Sequence, residues 1–309
     1  MIENILILIF SLFLVVKGAT LATKYSVKIA EIFHMPKYTV SFVIIAFISI
    51  LPETLISINS AFQGIPEFGL GTLFGSNIAD LTLIFAILII YAGRNIKIKS
   101  KILNNVSLYP YLLLIPIIFG FNGHYSRTEG VALIIAGSLF YYMVFKNNKT
   151  ETAKLYNKSE KYKNTFLLLT SVIFLLIGAH FTVISATKIA YALGITPVLI
   201  GMLVVSLGTT LPELFYSLKS VKSKDDELAV GDILGSVLAD ATIVIGIIAF
   251  ISPFYFPTKI IYITGGFMML ASFILVNFMS SGKLISKKEG YLLLLFWMFY
   301  IIVELLVNI

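Results

Sequence analysis

Runs of about 20 apolar residues follow one another along almost the whole of this 309-residue chain. As a helix, a run of that length crosses the roughly 30 Å hydrocarbon layer of a bilayer. Only 13% of the residues are charged, about half the share found in soluble domains. We therefore expect an all-α integral membrane protein with ten transmembrane helices. The predicted spans are residues 3–22, 38–63, 69–93, 102–121, 128–147, 165–186, 196–220, 226–251, 258–279 and 290–308.

Positive charge is distributed unevenly over the loops between these spans. Nineteen of the 23 Lys and Arg residues lie in loops after odd-numbered spans, whereas Arg127, Lys188 and Lys259 follow even-numbered spans. Because cytoplasmic loops collect positive charge, we expect a multi-pass protein of the cell membrane with both termini extracellular. The same rule explains the net charge of +7 without a nucleic-acid partner. The first apolar segment has no cleavage pattern, so it should be retained as a helix.

The sequence matches itself without a gap when it is shifted by 160 residues. Each copy holds five predicted spans, an odd number, so the second copy must enter the membrane in the opposite sense. We therefore predict two inverted five-helix repeats, residues 1–147 and 165–309, joined by a cytoplasmic linker at 148–164. Secondary transporters often have inverted repeats, with the substrate site at the repeat interface near the midplane. The matched segments include Leu51-Pro52-Glu53 with Leu211-Pro212-Glu213, Gly75-Ser76 with Gly235-Ser236, and Ala79-Asp80 with Ala239-Asp240.

Four carboxylates are predicted inside the apolar spans, namely Glu53, Asp80, Glu213 and Asp240. On insertion scales, a charge at the bilayer centre costs about 2.5–3.5 kcal/mol. No Lys or Arg lies at a matching depth, so a bound cation or a bound proton must neutralise these acids. Asp232 is less clear, since it either lines a vestibule or lies near the end of a span.

Hydroxyl side chains share a helix face with these acids at four-residue spacing. No histidine lies at this depth and the chain has no cysteine, so the available ligands are oxygen atoms. Oxygen ligands suit hard cations such as Ca²⁺ and Na⁺ better than zinc or copper. The four stripes are Ser49, Glu53 and Ser57; Thr209, Glu213 and Ser217; Thr72, Ser76 and Asp80; and Asp232, Ser236 and Asp240.

Proline and glycine mark where the helices should break and where they should pack closely. Pro52 and Pro212 lack the amide hydrogen that would bond the carbonyl four residues earlier. We therefore predict broken helices beside the two glutamates, with the carbonyl groups of Ile48 and Gly208 freed. Glycines at four-residue spacing predict close helix packing, and these are Gly71, Gly75, Gly231 and Gly235.

At these residues the chain resembles the sodium/calcium exchanger family of the cation/Ca²⁺ antiporter superfamily, in its prokaryotic form with a short central loop. The second of the two alpha repeats, about 196–251, carries Gly208-Thr209-Thr210-Leu211-Pro212-Glu213 and continues to Asp240. The first, about 38–93, carries Ser49-Ile50-Leu51-Pro52-Glu53 and continues to Asp80. The resemblance implies a Ca²⁺/Na⁺ antiporter, not an enzyme, with transported ions and no cofactor. It also implies alternating access, with spans 1 and 6 sliding past the other eight helices.

The resemblance further implies which residues bind the ions. Glu53 and Glu213 would coordinate Ca²⁺ together with Thr209 and backbone carbonyls, and hydroxyl groups around the same glutamates would form the Na⁺ sites. The predicted cation ligands are Glu53, Glu213, Asp80, Asp240, Ser49, Ser76, Thr209, Thr210, Ser236, Ala46, Ser206 and Asn77.

Two departures from the family pattern leave the counter-ion open. Members usually carry Gly-Thr-Ser where this chain has Ile48-Ser49-Ile50, and many carry Asn at the position of Asp80. Four acids around one cavity cannot all ionise without cations. Exchange of Ca²⁺ or another divalent cation for H⁺, or K⁺ dependence, therefore stays an alternative to Na⁺ coupling.

Two other classes of function are disfavoured. An intramembrane aspartyl protease would use two buried aspartates, with Val230-Gly231-Asp232 as a candidate motif, but it needs neither matched glutamates nor an inverted repeat. A channel with acidic rings would not need a Pro-Glu break in both halves. The expected partners are the lipid bilayer and inorganic cations; a monomer would suffice, and the oligomeric state is left open.

Overall fold

The structure is a computed structural model that describes residues 1–30, 40–98, 108–146 and 158–308. Seven helices in this described part are long and apolar enough to cross a membrane. The all-helical membrane fold is therefore confirmed, whereas the count of ten spans stays a prediction. The helices are α1 (Ile2–Ala30), α2 (residues 40–62), α3 (Pro66–Ala92), α4 (Tyr109–Phe119, followed by a 3-10 turn at Gly120–Asn122), α5 (Arg127–Lys146), α6 (Lys158–Leu193), α7 (Pro197–Lys222), α8 (Asp226–Ile251), α9 (Ile260–Gly282) and α10 (Lys287–Asn308).

Three predicted span boundaries lie outside the described residues: the starts of the second and fourth spans, at 38 and 102, and the end of the fifth, at 147. Most of the linker at 148–164 also lies outside them. Helix α6 begins at Lys158, so the described end of the linker segment is already helical.

Helices α2 and α7 are interrupted two residues before their prolines. The backbone of Ile50 has ψ −1° and that of Thr210 has ψ −7°, so the α-helical winding stops at both residues. Each interruption follows a short α segment and a wider π-helical turn. The segments are Val40–Ile45, Ala46–Ser49 and Leu51–Phe62 in α2, and Pro197–Ile200, Gly201–Val205, Ser206–Thr209 and Leu211–Lys222 in α7.

Helices α3 and α8 also contain a π-helical turn, and each turn begins at an acid. Such turns are rare and often lie at functional sites. The turns are Asp80–Ile84 between Pro66–Ala79 and Phe85–Ala92, and Asp240–Val244 between Asp226–Ala239 and Ile245–Ile251. A further π-helical turn, Ile260–Gly265, precedes Gly266–Gly282 in α9.

The 160-residue repeat is visible in the local structure. Ser126 and Glu129 form a capping box at the start of α5, and Ser286 and Glu289 form the same box at the start of α10. Two short antiparallel sheets each join one repeat to the other. Strand β1 (Ile96–Lys97) pairs with β4 (Leu284–Ile285), and β2 (His124–Tyr125) pairs with β3 (Phe254–Tyr255).

Helices α1 and α6 pack along each other on one side of the molecule. A Cβ added to Gly18 would lie 3.0 Å from the Ser171 carbonyl oxygen, and one added to Gly178 would lie 2.9 Å from that of Ser11. These contacts are equivalent under the 160-residue shift. The Thr182 hydroxyl donates to the Ser11 hydroxyl at 3.0 Å within the same interface.

An ion pair links the end of α3 to the start of α8. The Arg94 guanidinium donates to both oxygens of Asp226 at 2.6 and 2.8 Å, and the Lys97 amide donates to Asp226 at 3.0 Å. These hydrogen bonds to Asp226 raise the pKa of Arg94. The repeats are therefore tied together beside the helices that form the centre of the bundle.

Candidate cation-binding site

The centre of the bundle is built from two crossings between opposite repeats. Helix α2 packs on α8, where Ala46 faces Gly235, and α7 packs on α3, where Ser206 faces Gly75. A Cβ on Gly75 would lie 2.9 Å from the Ser206 hydroxyl, and one on Gly235 would lie 2.5 Å from the Ala46 Cβ. The predicted close packing at Gly75 and Gly235 is therefore present. We call α2 with α8 half-site A, and α7 with α3 half-site B.

The four predicted acids are buried in these half-sites, two in each. Glu53 and Asp240 belong to half-site A, and Glu213 and Asp80 belong to half-site B. None of these side chains is more than 2% exposed. Asp232, one turn before Ser236 on α8, is a fifth buried acid at 0% exposure.

Each of the five acids has one carboxylate oxygen that is buried without a hydrogen-bond partner among the described residues. These atoms are Glu53 Oε2, Glu213 Oε2, Asp80 Oδ1, Asp240 Oδ1 and Asp232 Oδ2. A buried carboxylate oxygen without a partner is costly unless a cation or a proton satisfies it. The arrangement therefore fits a group of positively charged ligands.

Glu53 lies close enough to each of the other four acids for the carboxylate charges to repel each other. The Thr209 hydroxyl of the other half-site lies within hydrogen-bonding reach of Glu53. The two half-sites therefore meet at Glu53.

Hydroxyl groups surround the acids, and most of them donate to carbonyl oxygens of their own helix. Thr209 donates to Ser206 at 3.0 Å, Thr210 donates to Leu207 at 3.1 Å, and Ser76 donates to Leu73 at 3.0 Å. A hydroxyl that donates its proton in this way keeps its oxygen lone pairs available for a cation. Ser206 donates to the Met202 carbonyl in the same manner, and the Ser236 hydroxyl has no partner among the described residues.

Asn77 differs from the other predicted ligands in its contact. Its amide nitrogen lies 3.6 Å from the Met268 sulfur on α9, and its carbonyl oxygen is buried without a partner among the described residues. All twelve predicted ligands are buried, but their assignment as ligands stays a prediction.

Carboxylates alone do not form a metal centre here. Over the described ranges, no three Asp, Glu or His side chains converge closely enough to bind one metal ion. A cation at the meeting point of the half-sites would need hydroxyl or carbonyl oxygens as well. The donor set is therefore mixed and consists of oxygen, which suits Ca²⁺ and Na⁺.

Among the described residues, three acids are buried besides the four predicted ones. Asp232, which the sequence leaves undecided, belongs to the central group, and Asp226 pairs with Arg94. Glu304 on α10 is only 2% exposed and accepts hydrogen bonds from the Thr264 hydroxyl at 3.2 and 3.3 Å. The apolar run around Glu304 was a visible signal, but the 160-residue shift places Val144 at its position.

Comparisons with known proteins agree with this architecture. The family described as sodium/calcium exchanger protein matches residues 3–146 and 163–306. The chain is 24% identical over 345 residues to the sodium/calcium exchanger MaX1 of Methanosarcina acetivorans, covering 97% of this chain and 98% of that protein. It is 28% identical over 291 residues to the putative antiporter CaxA of Alkalimonas amylolytica, covering 88% and 89%.

A solved structure has the same fold. The sodium-calcium exchanger NCX_Mj, soaked with 10 mM Na⁺ and 10 mM Sr²⁺, matches with a TM-score of 0.74 and 25% sequence identity. The match covers 97% of this chain and 98% of that chain.

Proposed function

Because the chain belongs to the sodium/calcium exchanger protein family, we propose that it exchanges Ca²⁺ for Na⁺ across the membrane by alternating access. Similarity to MaX1 and to NCX_Mj supports this choice of ions. The observation that carries the proposal is the meeting of two broken helices at five buried acids, each with an oxygen that lacks a partner in the described structure.

Glu53 and Glu213 would bind Ca²⁺ from the two half-sites. Ca²⁺ takes six to eight oxygen ligands, more than two carboxylates can supply. The Thr209 hydroxyl and the backbone carbonyls beside the helix breaks would complete the shell. Asp80 and Asp240, at the start of the two π-helical turns, would add negative charge close to the ion.

Na⁺ would bind to hydroxyl groups around the same two glutamates. The proposed Na⁺ ligands are Ser49, Ser76, Thr209, Thr210 and Ser236, with Ala46, Ser206 and Asn77 lining the site. Because both cations need Glu53 and Glu213, several Na⁺ ions or one Ca²⁺ ion would occupy the group, but not both. An empty group would keep its negative charge, and closing a nonpolar gate over it would be costly. Because the two ions exclude each other and the empty site cannot close, transport of one ion would be coupled to transport of the other.

Helices α1 and α6 would form the moving gate. A Cβ on Gly208 would lie 2.9 Å from a terminal methyl carbon of Leu12 on α1. Gly208 directly precedes Thr209 at the break in α7, so α1 already contacts the backbone beside the proposed ligands. We propose that sliding of α1 and α6 transfers this contact between the half-sites and thereby changes the face of the membrane to which the ions have access.

The orientation and organisation of the chain are part of the proposal. We place it in the cell membrane with both termini extracellular, on the basis of its loop charges. The five-helix repeats at 1–147 and 165–309 would be joined by the cytoplasmic linker at 148–164. One copy contains both half-sites, so a monomer would be sufficient.

Exchange of Ca²⁺ or another divalent cation for H⁺ is the second candidate. The specific observation in its favour is the number of acids, since five buried carboxylates would carry more negative charge than one Ca²⁺ ion neutralises. Protons on some of them would remove the excess. K⁺ bound together with Ca²⁺ would have the same electrostatic effect.

Uptake of ⁴⁵Ca²⁺ into proteoliposomes distinguishes these candidates. Vesicles loaded with Na⁺ are diluted into Na⁺-free buffer at clamped pH, with and without K⁺, and a matched set carries only a proton gradient. We expect uptake to require the outward Na⁺ gradient. Uptake driven by the proton gradient alone would establish the second candidate, and no uptake under any condition would refute Ca²⁺ exchange.

The site is tested by Glu53→Gln and Glu213→Gln, each of which should abolish uptake because the amide removes a negative charge that balances Ca²⁺ and offers only one oxygen. Glu304→Gln is the matched control, since it also neutralises a buried glutamate but lies outside the half-sites. It should retain most of the uptake. Wild-type uptake by Glu53→Gln would show that the ions bind elsewhere.

A further inference from the structure

We propose that Asp232 is a further Na⁺ ligand and that, together with the Na⁺ ligand Ser49, it forms a subsite in half-site A that Ca²⁺ does not use. This inference rests on the proposed Ca²⁺/Na⁺ exchange. It begins from the contact between the two side chains, in which the Ser49 hydroxyl donates to Asp232 Oδ1 at 2.9 Å. This hydrogen bond joins α2 of the first repeat to α8 of the second.

The geometry of Ser49 differs from that of its repeat equivalent. Thr209 donates to the Ser206 carbonyl of its own helix at 3.0 Å, whereas Ser49 donates across to a carboxylate. The Ser49 oxygen thus lies beside Asp232 with its lone pairs available. A hydroxyl oxygen and a carboxylate oxygen next to each other are hard ligands that suit a small monovalent cation.

Asp232 has an oxygen that requires a partner. Its side chain is 0% exposed, and Oδ2 is buried without a hydrogen bond among the described residues. Arg94 pairs with Asp226, six residues earlier on α8, and so does not neutralise Asp232. Glu53, the acid whose charge acts on Asp232, adds further negative charge. A cation beside Oδ2 would satisfy this oxygen and would lie next to the exchange site.

The two half-sites differ at several positions, and two of the differences point to this subsite. At the first, half-site A has buried Ile50 where half-site B has the hydroxyl of Thr210. At the second, half-site A has Asp232 where half-site B has Thr72, whose hydroxyl donates to the Phe68 carbonyl at 3.0 Å. At these two positions half-site A has one neutral ligand fewer and one charged ligand more than half-site B. Half-site A thus still offers an oxygen ligand to a cation, and the added carboxylate attracts positive charge more strongly than a hydroxyl does.

Two variants remove the charge while preserving the shape of the site. Asp232→Asn keeps an oxygen that can accept from Ser49, and Asp232→Thr introduces the residue that the other half-site has at Thr72. Asp226→Asn is the matched control because it is the same substitution on the same helix, at a carboxylate that pairs with Arg94 and is not one of the five central acids. Size-exclusion profiles and melting temperatures of the purified variants show whether each is folded.

The measurements are ²²Na⁺ binding without Ca²⁺, and the Na⁺ concentration that displaces half of the bound ⁴⁵Ca²⁺. We expect Asp232→Asn to raise the Na⁺ concentration for half-displacement about tenfold, as loss of one charged contact implies, and to lower the Hill coefficient for Na⁺. Ca²⁺ affinity should fall by a smaller factor than Na⁺ affinity, because Asp232 would act on Ca²⁺ through its charge only and not as a ligand. Ser49→Ala should act in the same direction, with little further effect on the Asp232→Asn background.

Three results would overturn the inference. One is unchanged Na⁺ binding in folded Asp232→Asn or Asp232→Thr, and another is an equal loss of Ca²⁺ and Na⁺ binding. The third is a matching loss of Na⁺ binding in Asp226→Asn. The ²²Na⁺ measurement does not depend on transport, so a wild-type protein that fails to exchange Ca²⁺ would refute the proposed function while the subsite is still judged by Na⁺ binding.

Discussion

The close crossing of α3 and α7 should be essential for ion binding, and Gly75→Ala tests this. The new methyl carbon would lie 2.9 Å from the Met202 Cα and 2.9 Å from the Ser206 hydroxyl, and closer still to the Met202 carbonyl oxygen. Carbon atoms pack at about 3.5–4.0 Å, so the helices must separate by about 1 Å. Two of the three nearest atoms belong to the backbone, which cannot rotate out of the way.

Separating the two helices should affect cation binding more than folding. Overpacking a tight interior typically costs about 1–3 kcal/mol, which a membrane helix bundle can survive. Ca²⁺ ligands, however, lie at about 2.3–2.6 Å, so a ligand displaced by about 1 Å no longer coordinates. We expect Gly75→Ala to fold and to lose about tenfold or more in Ca²⁺ affinity, which corresponds to about 1.4 kcal/mol. Gly235→Ala should behave alike, because its methyl would meet Ala46 and the Phe42 carbonyl.

The assay is ⁴⁵Ca²⁺ binding and Na⁺-driven uptake, each normalised to folded protein. Gly266→Ala is the matched control, since a Cβ at Gly266 on α9 meets no atom within 4 Å. It should bind and transport as the wild type does. If Gly75→Ala also retained wild-type affinity and rate, the crossing would not set the positions of the ligands and the reasoning would be refuted.

Three further perturbations test the surroundings of the site. Arg94→Gln leaves Asp226 buried without its cation and should lower the free energy of unfolding by about 1–3 kcal/mol. The melting temperature should fall accordingly, and adding Asp226→Asn to this variant should partly restore it. Burial raises the pKa of the Tyr125 phenol, which lies between α4 and α5. Above about pH 10 the unfolded chain therefore loses this proton while the folded protein keeps it, and the folded protein becomes less stable. In Tyr125→Phe the fall in melting temperature between pH 9 and about 11 should be smaller than in the wild type. Glu304→Ala should destabilise more than Glu304→Gln, because the amide still accepts the Thr264 hydrogen bond; equal melting temperatures would show that this bond contributes nothing.

Much of the architecture could be predicted because local rules determine it. A bilayer requires long apolar helices, and a proline removes one backbone donor wherever it lies in a helix. The breaks at Ile50 and Thr210, two residues before Pro52 and Pro212, agree with the second rule. The Ile48 carbonyl, however, is not freed as predicted, because a backbone N–H at the break donates to it. Burial of the four predicted acids follows from their position in apolar runs.

Other features depend on contacts between distant segments and could not be read from the sequence. The π-helical turns at Asp80 and Asp240 widen α3 and α8 in the middle of apolar runs, and nothing in those runs distinguishes a wider turn from an ordinary one. The hydrogen bond from Ser49 to Asp232 joins residues 183 positions apart in the sequence. Its existence depends on how α2 crosses α8, which side-chain packing decides.

The repeat also explains which acids were missed. A shift of 160 residues selects residues that occur in both copies, so it finds Glu53 with Glu213 and Asp80 with Asp240. It passes over Asp232 and Glu304, because their equivalents are Thr72 and Val144. The matched acids place one Glu and one Asp in each half-site. Any difference in ion preference between the half-sites must come from unmatched residues, and Asp232 is the unmatched residue that adds a charge directly beside Glu53.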